Sequence, residues 1–195
     1  DLYFQYIDTN FFKFDIIMYV VDITSAMNTS EEIELLKKII TKCKENKDKF
    51  NIHNKLIVIA NKCDDMYLNK KKLTLEEELQ EMFSQLSNTV KTTCDEIFPD
   101  LEFKIVPLSS EDSYIYRMYD KDPEHDIEPK YVNKFGCNEY GKSRWNRLKD
   151  KDKKRKIKEL MDGMDINETL ELTGFLQLKK QLNSFLNTYN QRKFI

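Results

Sequence analysis

An apolar run that ends abruptly on an amide, a cation and a carboxylate concentrates the chemistry of this chain: Leu56-Ile57-Val58-Ile59-Ala60 is followed by Asn61, Lys62, Cys63 and Asp64. A carboxylate can accept two parallel N–H donors at once, and such charge-assisted pairs are short, strong and selective for a planar edge that presents both donors. A lysine beside it can lay its methylenes on the face of a flat ring while its ammonium stays in water. An asparagine, donor and acceptor together, can brace the loop or touch the same ring. The competing reading is structural, with Asn and Asp capping a helix after a core strand and Lys62 solvated.

The elements that position these groups follow from patterning. Leu56 to Ala60 has no polar alternation and three β-branched residues in a row, which predicts a parallel strand covered on both faces. Ligands of open α/β sheets bind beyond the carboxyl ends of such strands, where Asn61, Lys62 and Asp64 fall. Asp15 to Asp22 repeats the grammar of an apolar run ending on a carboxylate, and Phe103 to Leu108 is a third strand, its Pro107 suiting a sheet edge. Leu2, Tyr6, Phe11 and Phe14 suggest a helix ending near Lys13. After Asn28, Thr29 and Glu32 stand at capping-box spacing before the apolar face Ile33, Leu36, Ile39, Ile40 and Cys43. A lysine-rich loop follows Asp64. A long helix is then expected from Thr74 and Glu77, with the face Leu75, Leu79, Met82, Phe83, Leu86, Val90, Cys94 and Ile97, ended by Pro99. Strand, helix and strand in this order form the βαβ unit of a parallel sheet.

With strand context in place, Asn61-Lys62-Cys63-Asp64 resembles the Asn-Lys-x-Asp base-recognition motif of the P-loop GTPases, of the branch that includes the Era-like and dynamin-like proteins. The resemblance implies that Asp64 accepts the paired N–H donors on the Watson–Crick edge of guanine, which adenine does not offer. Ser109-Ser110-Glu111, at the end of the third strand, is similar to the second base-contacting loop of the family, usually Ser-Ala-Lys. There the backbone N–H of Ser110 is expected to meet the guanine carbonyl oxygen, and Glu111 departs from the usual Lys. The guanine-binding set is thus Asn61, Lys62, Asp64, Ser109 and Ser110. The last helix, opened by Thr173-Gly174 and carrying Phe175, Leu178, Leu182, Phe185, Leu186 and Tyr189, is similar to the terminal helix of the same domain.

The implied fold is a partial P-loop GTPase-type, Rossmann-like α/β domain of three layers, a parallel sheet flanked by helices. It occupies residues 1–111 and 168–195, with residues 112–167 inserted as a polar and basic helical lobe of low expected order around Asp120 to Pro129. A working GTPase also needs a glycine-rich phosphate loop and switch segments carrying a Thr and an Asp-x-x-Gly. None precedes Asp15, so the chain reads as the carboxyl-terminal half of the domain, and catalytic or metal-ligating residues are not assigned. GTP or GDP is the expected ligand, with Mg2+ expected only alongside the missing half. The alternative is an interaction protein that keeps the scaffold without nucleotide turnover. Gly136-Cys137-Asn138-Glu139-Tyr140-Gly141-Lys142-Ser143 matches the phosphate-loop pattern formally. Its flanks are polar, Glu139 and Tyr140 would crowd the backbone amides, and a surface turn is the favoured reading.

Composition bounds the remainder. With 195 residues, 40% hydrophobic and 34% charged, the chain suits one sizeable core under a charged surface, and a net charge of -2 makes no global case for nucleic acid. The run Lys142 to Lys158 interleaves Asp150 and Asp152 with its basic residues and reads as a solvated helix face; the alternative is an acidic-partner or nucleic-acid contact with Trp145 stacking. No stretch approaches a membrane span. Cys43, Cys63, Cys94 and Cys137 are widely spaced, and only His53 and His125 could join them, which favours free thiols in a reducing, cytoplasmic compartment over disulfides or zinc. Abundant Lys, Asn and Ile fit an A/T-rich genome, such as that of a large DNA virus or a protist. Loss of the strands flanking the one that ends at Asp22 would leave a sheet edge and apolar surface open, so the missing amino-terminal half or another protein chain is expected to cover it.

Overall fold

The computed structural model describes residues 2–25, 27, 29–64, 66–69, 72–123 and 126–192. Three parallel strands form its centre: β1 (Ile16–Asp22), β2 (Lys55–Asn61) and β5 (Phe103–Leu108), in the order β1-β2-β5. The register sets Asp22 beside Asn61 and Asn61 beside Leu108, so all three strands stop at one level. Before β1, helix α1 (Leu2–Asn10) runs into a 3-10 turn, Phe11–Lys13. The fold is α/β and Rossmann-like, and β5 is an edge strand as Pro107 suggests.

The chain moves across the sheet in one direction, and crossovers of one hand then place both connecting helices on the same face. These are α2 (Ser30–Phe50) and α3 (Glu77–Ile97). Leu36, Ile40 and Cys43 of α2 and Leu86, Val90 and Cys94 of α3 close over Tyr19, Val21, Leu56, Val58 and Ala60. The alternate residues of the strands, Ile57, Ile59, Val106 and Leu108, point the other way and meet Phe185 of α9 (Phe175–Arg192). That two-sided burial explains the unbroken apolar run of β2. α2 starts as its spacing predicts: Thr29 accepts from the Glu32 N–H and its hydroxyl bonds the Glu32 carboxylate.

The expectation for the stretch after Asp64 is corrected. The lysine-rich loop contains an antiparallel hairpin, β3 (Met66–Asn69) and β4 (Lys72–Leu75), so Thr74 lies in a strand and Leu75 is buried there, while the helix begins at Glu77. Thr74 and Leu73 are β-branched and apolar residues that suit a hairpin as well as a helix start, and Glu76, not Thr74, occupies the cap. The segment expected to form the lobe folds as α4 (Ser110–Lys121), α5 (Pro129–Tyr140), α6 (Lys142–Trp145) and α7 (Asp150–Asp162), linked to α9 by α8 (Ile166–Leu172). It has its own core of Ile115, Tyr119, Tyr131, Val132, Phe135, Ile157 and Met161 around a fully buried Trp145. Trp145 is therefore no stacking platform; its indole N–H donates to Asn133. Around Asp120 to Pro129, α4 runs to Lys121 and Ile127 is buried, whereas His125 and Asn28 lie outside the described residues, as do the side chains of Leu2 and Tyr189.

The phosphate-loop look-alike is mostly helical, with an exposed turn only at Gly141. Gly136 lies within α5 against the Trp145 ring, where an added Cβ would come within 2.1 Å of it, and Gly141 breaks α5 from α6 at φ 79°. Glycine at 136 answers to packing, which is why the pattern arises without phosphate chemistry. No described helix is long and apolar enough to cross a membrane.

Candidate functional site

All five residues singled out from sequence gather at the carboxyl ends of the strands. β2 delivers Asn61 as its last residue, and Lys62 then takes the left-handed conformation at φ 65°, a turn that costs a non-glycine residue roughly 1–2 kcal/mol. Backbone bonds stitch the three strand ends together: the Ile23 N–H donates to the Asn61 carbonyl at 3.0 Å, and the Cys63 N–H to the Leu108 carbonyl at 3.2 Å. Ser109, almost wholly buried, is tied by its N–H to the Thr173 carbonyl at 2.9 Å, which couples the loop after β5 to the start of α9.

Side chains complete the lattice. Asn61 Oδ1 accepts the Ser110 N–H at 3.1 Å, so the asparagine braces one loop against the other. The Ser109 hydroxyl donates to Asp64 Oδ1 at 2.6 Å. Lys62 donates to Asp22, which also accepts the Thr24 N–H and hydroxyl. The Lys62 bond holds the Asp22 carboxyl below its ordinary range, against the opposing effect of burial, and the same bond raises the Lys62 ammonium.

Two participants were missed from sequence, and both belong to the segment read as an insertion. Lys134 of α5 reaches Asp64 Oδ2 at 3.1 Å and Asp112 Oδ1 at 2.7 Å. Asp112 stands in the first turn of α4 with a side chain only 11% exposed, and burial lifts its carboxyl above the usual carboxylate range despite the Lys134 bond. Lys134 loses some affinity for its proton through burial, but the bonds and charges of Asp112 and Asp64 outweigh that and hold it firmly protonated. Asp112 follows Ser109-Ser110-Glu111 directly and was legible as a neighbour of the loop. Lys134 is 70 residues from Asp64, and no spacing rule connects them.

The result is a polar platform with one half-open carboxylate, Asp64 at 39% exposure, steadied by neighbours on both oxygens. Among the described residues, no three His, Cys, Asp or Glu side chains gather to hold a metal ion. Its chemistry is acceptance of N–H donors beside a cation. Comparisons with protein-family models, curated proteins and solved structures found no match.

Proposed function

We propose that the strand-end platform reads a guanine base as part of a GTPase-like nucleotide-binding domain. Asp64 accepts the two N–H donors of the base edge, Asn61 ties the two base loops together, Ser109 fixes the carboxylate, and Lys62 supplies an aliphatic stem once it leaves Asp22. The observation that carries this reading is the convergence of Asn61, Asp64, Ser109 and Ser110 from two different strand ends into one hydrogen-bonded unit. The Ser110 N–H is spent on Asn61, so contact with the guanine carbonyl oxygen requires Asn61 to yield it. Phosphate binding, Mg2+ and hydrolysis would require residues beyond those on this platform.

Titration with fluorescent guanine and adenine nucleotides tests the proposal. Guanine should be preferred by about tenfold to a hundredfold, the discrimination of a good bidentate pair, and Asp64→Asn should abolish the preference. Equal binding of the two bases, or a preference that survives Asp64→Asn, rules the reading out.

One observation favours a second reading, an interaction protein that keeps this scaffold without turnover. Lys62, Asp64 and the Ser110 N–H are each engaged by the protein's own groups, and Glu111 stands where the family resemblance has a lysine. On either reading, the amino-terminal half of the domain or another chain is the proposed cover for β1.

A further inference from the structure

The helical lobe takes a direct part in the strand-end platform. Lys134, carried on α5, and Ser109, after β5, hold different oxygens of the same carboxylate: Oδ2 of Asp64 at 3.1 Å and Oδ1 at 2.6 Å. An ionised carboxylate has about four lone-pair sites, so this arrangement leaves acceptor capacity on both oxygens. A free aspartate turns easily about its last torsion, whose wells are broad, and presents both oxygens to a donor pair only part of the time. Two donors from separate elements remove that freedom. Lys134 is itself anchored, because its shortest bond is to Asp112, which the first turn of α4 holds in a largely buried position.

We propose that Lys134 is a positioning residue for Asp64, through which the helical lobe sets how sharply the site distinguishes guanine from bases lacking one of its N–H donors. This rests on the base-reading role of Asp64 and deepens it: the lobe belongs to the recognition machinery. Pinning both oxygens matters most for a ligand that uses both, and inosine, which lacks the exocyclic amino group of guanine, uses one.

Calorimetric dissociation constants of guanosine and inosine diphosphates on the intact protein test the inference. The parent protein should favour guanosine diphosphate by roughly tenfold or more, the value of one hydrogen bond to a charged acceptor. Lys134→Ala combined with Asp112→Asn, which orphans no buried carboxylate, should bring the two constants toward equality, and Lys134→Arg should restore the gap. Asp112→Asn alone keeps Lys134 on Asp64 and should retain most of it. Lys134→Met, which preserves the packed stem, carries the test if the alanine variant fails to fold. An unchanged guanosine-to-inosine ratio without the ammonium overturns the proposal. Tighter guanosine binding in that variant also overturns it, since Lys134 would then be a lock. A parent protein that does not separate guanosine from adenosine diphosphate instead defeats the base reading itself, an outcome distinct from both.

Discussion

Asp22 and Asp112 lie at the same end of the sheet, yet their surroundings drive them in opposite directions. Asp22 is held ionised by Lys62 and Thr24, and Asp112 is pushed toward its neutral form by burial. Carbon-detected NMR titration of the side-chain carboxyls should therefore place Asp112 above and Asp22 below the reference value of 3.8. The reverse order would contradict this account of the platform. The consequences for stability differ in sign. The contribution of Asp22 is present above its unfolded value and is lost as pH falls through its depressed folded value. For Asp112 the folded state takes up its proton first, so its contribution grows as pH falls through the raised folded value toward 3.8. The thiols follow burial too: Cys43 is pushed up to about 12 and Cys63 and Cys94 to about 11, which leaves all three protonated at neutral pH.

At the scale of elements, three glycines separate packing from backbone demands. Gly174 opens α9 at φ 78°, and a Cβ there would lie 2.0 Å from the Pro107 carbonyl oxygen, so α9 approaches the end of β5 as closely as glycine allows. Gly136 is helical but faces the Trp145 ring. Gly163, after α7, has φ -86° and a Cβ would meet only ordinary contacts from 3.4 Å outward. Thermal unfolding should show Gly136→Ala losing about 1–3 kcal/mol, as overpacked sites do. Gly174→Ala should lose at least as much, because strain and collision coincide there. Gly163→Ala should be neutral or gain up to about 1 kcal/mol by restricting the unfolded chain. A stable Gly136→Ala protein would mean that the pattern Gly136 to Ser143 is free for another role. At this scale the sequence was legible where periodicity was long, as in α2 and α9, and was misread where short segments had mixed propensity, as in the hairpin β3–β4.

Across the whole molecule, the sheet is unevenly covered. Met18 and Val20 of β1 lie beside Ile57 and Ile59 on the face that α9 packs, yet they are 55% and 56% exposed, whereas Ile16 at the start of β1 joins the cluster around Phe185. No strand pairs with the outer side of β1 among the described residues. Beside it, Tyr6, Phe11, Phe14, Ile17 and Leu35 line an apolar groove of about 420 Å³. Unpaired edges and apolar patches of this kind favour association. The chain produced alone is expected to self-associate through β1 in sedimentation velocity. Met18→Lys with Val20→Lys should reduce that association while leaving the melting temperature nearly unchanged, as substitutions of exposed residues usually do. A strictly monomeric parent chain would remove the case for a covering partner.

By itself the sequence determined the three strands and their ends, because a strand buried on both faces must be continuously apolar and must stop where polar residues begin. It thereby placed Asn61, Lys62, Asp64, Ser109 and Ser110 at strand ends, and the parallel βαβ order implied that those ends lie together. Only the tertiary structure decided what each of them touches. The ion pairs of Lys62 with Asp22 and of Lys134 with Asp64 and Asp112 join positions far apart in the chain, and no periodicity within one element foretells a charged partner on another. The burial of Trp145 likewise depended on α4, α5 and α7 contributing to one core with it, which local patterning in a charge-rich segment does not encode.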